Sequence, residues 1–177
     1  NPPYAKIHSG SPERRALRRM GLETGNLYSA FVYLAVRLLR PGGELVAITP
    51  RSFANGPYFA PFREWLLSTV ALNRIHVFES RESAFRDDAV LQENVIIKGR
   101  RSAEKSRTVR ITSSHGPDDS DFLVNDVSGS VVTNPNDPDA FIHILPDQLS
   151  QRIAELAALL PCRLDDLGIT ISTGRVV

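Results

Sequence analysis

Cysteine is nearly absent from this sequence. Cys162 stands alone, so no disulfide framework can form within the chain, and a reducing cytoplasm, of prokaryotic type, is the expected setting. None of the eleven glycines forms a Gly-x-Gly, the turn on which a nucleotide-type cofactor normally sits after the first strand of a doubly wound sheet. There is no Gly-x-Ser-x-Gly nucleophile elbow and no phosphate loop closing in Gly-Lys-Ser/Thr. His8, His76, His115 and His143 are scattered, and none stands at metal-ligand spacing with Cys162 or a carboxylate cluster. The acidic positions near Pro117 and Pro138 lack the following Glu-x-Lys that a metal-dependent nuclease needs. No apolar run is long enough to span a bilayer, and neither a secretory signal pattern nor an internal repeat is visible.

What remains is an ordinary globular composition: 177 residues, 42% hydrophobic and 23% charged, enough for one domain or one and a half. The formal net charge of +1 does not by itself announce nucleic acid. Local charge is less even. Lys98, Arg100, Arg101, Lys105, Arg107 and Arg110 face only Glu104 in their stretch, whereas 115–140 holds six aspartates and no Lys or Arg. A basic stretch of this kind can meet phosphates, but a solvated hairpin is the expected meaning.

The opening residues, NPPY, carry the most chemistry. Proline fixes its own φ and has no N–H, and it holds the residue before it extended, so Asn1 and Pro2 form a preset ribbon. That ribbon offers a side-chain amide, the free Pro2 carbonyl and the flat ring of Tyr4. A planar substrate with an exocyclic amino group suits it, since the NH₂ donates to the Asn1 oxygen and the Pro2 carbonyl while the ring stacks on Tyr4. Base–aromatic stacking contributes roughly 1–3 kcal/mol. A plain proline-rich turn with a surface tyrosine explains the tetrapeptide equally well. A ligand for Pro-binding modules is disfavoured, because Tyr4 follows Pro3 directly.

Along the chain, Ser11-Pro12 predicts a short basic helix stopping at Gly21, with Arg14, Arg15, Arg18 and Arg19 exposed or near phosphates. Leu27, Phe31, Leu34, Ala35 and Leu38 recur on one helical face and are expected to pack inward. Pro41-Gly42-Gly43 ends that helix. ELVAIT then reads as a strand buried on both faces, as in a parallel sheet. A breaker-rich loop, PRSFANGPY, leads into a second helix, with Tyr28, Phe31, Phe59, Phe62 and Trp65 all expected in the core. LNRIHVFES and ENVIIKGRR read as strands. RTVRITS, DFLVNDV and FIHILP suggest further β-structure, and PDQLSQRIAELAALLP suggests a helix with Ile153, Leu156, Ala157 and Leu160 on one face.

The order NPPY, LLRPGGELVAITPRSF, GPYFAPFREWLL resembles an adenine-specific (N6) DNA methyltransferase of restriction–modification systems, of the Eco57I and TaqI type. The likeness covers residues 1–101 well and the remainder loosely. It implies an α/β fold: the C-terminal half of a Rossmann-like, S-adenosylmethionine-dependent methyltransferase sheet (1–101), then a β-rich extension (102–146), then a helix leading toward a target-recognition domain (147–177). It implies that Asn1 and the Pro2 carbonyl accept from the amino group of a flipped-out adenine, that Pro3 shapes the turn and that Tyr4 stacks on the base. A base inside a duplex must be rotated out to be reached. The family places a second aromatic in the loop before its last strand, and Phe85 is the aromatic there. A hydrophobic plug under the loop is its alternative role. Arg51 and Phe53, in the PRSF loop at a strand's carboxyl end, are candidates for lining the pocket, with a core position favoured for Phe53.

The family's cradle for S-adenosylmethionine lies on strands before NPPY. This chain is therefore expected to be part of a longer enzyme, to bind the cofactor poorly alone, and to expose an apolar sheet edge beside Asn1 that invites self-association. Double-stranded DNA, and a fused or cognate restriction endonuclease, are the implied partners. Two alternatives stay open: an NPPY-type enzyme acting on protein glutamine or RNA adenine, and a non-catalytic remnant.

Overall fold

The computed structural model describes residues 1–79, 93–162 and 164–170. Helix α1 (Pro12–Arg19) begins as expected: the Ser11 hydroxyl accepts from the Arg14 N–H at 3.2 Å, and Pro12 occupies the first turn. Its Leu17 turns into the core. Arg14 and Arg18 both grip Glu23, Arg14 at 2.5 Å, which holds the Glu23 carboxyl down to about 2. Two of the four arginines of this helix are therefore committed internally, and Arg15 and Arg19 remain exposed.

Helix α2 (Leu27–Leu38) presents a different face from the one its spacing suggests. Tyr28, Ala30, Val32, Tyr33 and Val36 are buried, while Phe31 (51% exposed), Leu34 and Leu38 (86%) point outward. Residue size misleads here, since the inward register is set by the tyrosines. Tyr33 lies on Trp65 at 4.3 Å and its hydroxyl donates to the Met20 carbonyl. Pro41-Gly42-Gly43 ends the helix with Gly42 at φ 79°, a conformation costly for any residue with a Cβ. The Gly42 N–H then bonds the Arg101 carbonyl at 2.8 Å, fixing the start of the strand Glu44–Pro50 to the end of the strand Asn94–Arg101.

Five strands form one sheet in the order β1-β3-β2-β4-β5: β1 Glu44–Pro50, β2 Val70–Phe78, β3 Asn94–Arg101, β4 Thr108–Ser114 and β5 Leu123–Ser128. The β1–β3, β3–β2 and β4–β5 pairs are antiparallel, and β2–β4 is parallel. The fold is mixed α/β, as the sequence implies, but β1 is not buried on both faces. It is paired on one side only among the described residues and alternates, with Leu45, Ala47 and Thr49 inward and Val46 65% exposed.

The basic stretch is not a hairpin. β3 and β4 do not pair, and segment 102–107 steps past β2, so that β4 lies on the far side of it. The extension thus continues the same sheet. FIHILP forms no strand either. Its Ile142 N–H goes to the Ala54 carbonyl (2.9 Å) and its His143 N–H to the Val132 carbonyl (2.8 Å), with Ile142 and Leu145 buried. A short helix, α4 (Gly129–Val132), follows β5. Helix α5 (Gln148–Ala158) is capped by Asp147, whose side chain accepts from the Ser150 N–H, yet buries no residue, and Ile153, Leu156 and Leu160 lie exposed.

Helix α3 (Ala60–Thr69) carries a buried cation, Arg63, 0% exposed. Its guanidinium donates to the carbonyls of Phe53 (3.0 Å), Gly56 (2.6 Å) and Asp139 (2.7 Å), and lies 5.1 Å over the Phe141 ring. Carbonyls from two segments far apart in sequence are satisfied by one planar fork, a geometry that lysine's single ammonium cannot reproduce. Arg63→Ala is expected to cost about 3 kcal/mol or more, because it strands these carbonyls. Arg63→Lys should recover less than half of that loss, as read from urea unfolding midpoints.

Candidate active site

The NPPY ribbon sits on the start of α2. The Leu27 N–H donates to the Ala5 carbonyl and the Ile7 N–H to the Gly25 carbonyl, both at 2.8 Å, and Lys6 bridges Asn26. Buried hydroxyls brace this junction: Thr24 Oγ1 and Ser29 Oγ are 2.5 Å apart, and the Ser29 hydroxyl donates to the Asn26 carbonyl at 2.9 Å. Two prolines and this short ladder fix the ribbon's path, leaving Asn1 and Pro3 exposed and Pro2 half-buried.

Tyr4 is half-buried. Its ring meets Tyr28 edge-to-face at 6.1 Å, and Tyr28 in turn packs on Phe59 at 5.5 Å. Burial pushes both tyrosine pKa values up, Tyr28 the more strongly. Ser52 lies close enough to Tyr28 to ease its ionisation slightly, but the approach lacks hydrogen-bond geometry. Among the described residues, the hydroxyls of Tyr4, Tyr28 and Thr49 are therefore buried with no hydrogen-bond partner. Such groups are costly to leave unmet, and they concentrate polar capacity beside the carboxyl end of β1.

The turn after β1 completes the site. Arg51 opens a 3₁₀ turn (Arg51–Ala54), where its N–H donates to the Glu93 carbonyl (2.7 Å) and its guanidinium to the Glu93 carboxylate (3.3 Å). Arg51 thus stands at the strand's carboxyl end, as expected, held by a partner the sequence did not suggest. Phe53 is 1% exposed and packs on Phe62 at 6.0 Å, so its place is the core rather than a pocket wall. Phe85 lies outside the described residues. Tyr28 and Thr49 were not legible as site residues. Helical spacing places Tyr28 in the core, but only the three-dimensional arrangement shows its hydroxyl stranded.

Residues 1–85 match the family model of the Eco57I restriction-modification methylase. Over those residues the chain is similar to the Eco57I restriction-modification methylases. It is 49% identical over 177 residues to the Type II methyltransferase M.PstI of Providencia stuartii and 45% identical over 179 residues to M.BsuBI of Bacillus subtilis. Both alignments cover all of this chain, which spans 35% of each relative's length. Its fold resembles that of the type IIG restriction endonuclease BpuSI (TM-score 0.53, 16% identity, covering 72% of this chain and 18% of that one). A second likeness is to a candidate class I S-adenosylmethionine-dependent methyltransferase from Listeria monocytogenes (TM-score 0.53, 14% identity, covering 67% and 36%). The ribbon, α2 and the turn after β1 all fall inside the matched segment.

Because the Tyr4 and Tyr28 hydroxyls meet no partner, Tyr4→Phe and Tyr28→Phe are each expected to leave the melting temperature unchanged or raise it by about 1–3 °C. Tyr4→Ala, which removes the edge-to-face contact, is expected to lower it. Calorimetry on the three variants checks the order.

Proposed function

We propose that the enzyme to which this chain contributes is a DNA methyltransferase of a restriction–modification system, acting on the N6 amino group of a flipped-out adenine. The observation that carries the proposal is the ribbon itself: an exposed Asn1 amide and a donor-free Pro2 carbonyl, fixed by proline stereochemistry and by the Ala5–Leu27 ladder. The Eco57I family match and the relatives' description as Type II methyltransferases support the reaction class. Neutral acceptors suit an aryl amine, whose two N–H groups then point at Asn1 Oδ1 and Pro2 O. Holding both hydrogens to one side draws the nitrogen lone pair out of conjugation with the ring. Asn1 need not act as a base, because the methylated nitrogen is acidic enough to release its proton to water.

The methyl donor of this reaction class is S-adenosylmethionine, which supplies an electrophilic methyl carbon when bound. The unmet hydroxyls of Tyr4, Tyr28 and Thr49 fit the reacting end of such a polar group. Nothing among the described residues resembles a glycine-rich cradle for its nucleoside, in keeping with a chain spanning 35% of its relatives' length. Tyr4, seated on Tyr28, offers the base a stacking surface, and Arg51 lies at the same strand end.

The native full-length protein, incubated with tritiated S-adenosylmethionine and mixed-sequence duplex DNA, is expected to place label at adenine N6. Asn1→Ala should lower that transfer roughly 100-fold, the scale of losing one positioned transition-state hydrogen bond. Label in protein or RNA instead would reassign the acceptor, and no transfer to any acceptor would leave the ribbon a mere turn.

A further inference from the structure

The sheet has a second face, away from the side where Ile75, Val77, Ile97 and Ile111 enter the core. There the strand register sets Lys98 of β3 beside Arg74 of β2, Arg74 beside Arg110 of β4, and Arg110 beside Asp126 of β5. Neighbouring strands lie about 4.8 Å apart, so three cations are strung across roughly 10 Å of sheet. The outer two have partners. Lys98 Nζ lies 3.3 Å from the Glu44 carboxylate, and Arg110 holds Asp126 through two bonds of 2.8 Å. Arg74, the central cation, has no ion-pair partner among the described residues and is exposed. Directly opposed like charges destabilise a sheet, and here one cation is opposed on both sides.

Two local features sharpen the arrangement. The β2–β3 register shifts between Leu72 and Arg74, a bulge that inserts Asn73 beside the row. Asn73, Arg74, Lys98, Thr108, Arg110 and Asp126 together line a shallow cavity of about 380 Å³. Two residues on, His76 has both ring nitrogens engaged, by the hydroxyls of Thr112 (2.9 Å) and Ser114 (3.2 Å). Burial, and then the Arg74 charge, hold the imidazole below its ordinary value, which favours its neutral form and adds no further positive charge to the row.

We infer that this cation row is a contact for the phosphate backbone of duplex DNA, with Arg74 the central phosphate ligand, on the sheet face away from the NPPY ribbon. The inference rests on the DNA-methyltransferase reading above. It adds a binding surface that does not touch the acceptor base. A linear polyanion is favoured over a small anion, because the cations form a row across an exposed sheet face and do not converge on one point. The row's excess is local, since the whole chain carries a net charge of +1.

The test is a salt-dependent anisotropy titration of labelled duplex DNA with the full chain, its Arg74→Gln variant, and Arg152→Gln as a control cation on α5. Arg74→Gln is expected to weaken binding severalfold at low salt and to shrink the log–log salt slope by about one, with Arg152→Gln unchanged. Its melting temperature should rise by about 1–3 °C, because like-charge repulsion is relieved. Absence of binding by the unmutated chain, or an unchanged slope in Arg74→Gln, would overturn the inference. So would equally tight, equally Arg74-dependent binding of polyglutamate, which would assign the row to an acidic polypeptide. Methyl transfer lost in Asn1→Ala reports on the other reading independently, since that variant keeps the row intact.

Discussion

One guanidinium organises the part of the molecule nearest the chemistry. Arg63 reaches from α3 to the carbonyls of Phe53 and Gly56, in the turns after β1, and to that of Asp139, far along the chain. A buried arginine is tolerable only when its donors are met, and here backbone carbonyls meet them instead of a carboxylate. The turns it pins carry Arg51 and Ser52 and deliver Phe59 against Tyr28, and Tyr28 is the seat of Tyr4. The NPPY ribbon is thus supported through aromatic contacts and then by a clamp that lies outside the candidate site.

A second constraint comes from the sheet. β3 stands between β1 and β2, antiparallel to both, and its end is tied back to Gly42 and Gly43 by paired 2.8 Å bonds between Arg101 and the turn. This keeps the carboxyl end of β1 and the start of β3 adjacent, so that Arg51 and Glu93 meet although they are 42 residues apart in sequence. The position of the candidate site at that end follows from strand order more than from any single side chain.

The sequence made some elements legible because their causes are local. The Ser11-Pro12 start of α1, the Pro41-Gly42-Gly43 stop and the stiffness of NPPY are each decided within a few residues. What escaped depends on distant partners. α2 turns its tyrosines inward because Tyr33 finds Trp65 and Tyr28 finds Phe59, leaving Phe31 outside. FIHILP looks like a strand, but its donors are claimed by the carbonyls of Ala54 and Val132. The basic stretch 98–110 suggests a hairpin until the sheet order shows β2 running between its arms. Arg63 gives no sign in the sequence, since a cation on an amphipathic helix is normally solvated. Phe53 settled into the core by the same logic that placed Phe62 there.

Asn1 and the Pro2 carbonyl are proposed to receive the amino group of an extrahelical adenine. A structure of the full-length protein bound to its target duplex and a non-reactive analogue of the methyl donor tests it most directly. The account predicts an adenine rotated out of the helix, its N6 within about 2.7–3.2 Å of both Asn1 Oδ1 and Pro2 O, and its ring against Tyr4. An adenine left stacked in the duplex, or an extrahelical base whose amino group faces any other part of the protein, would contradict it.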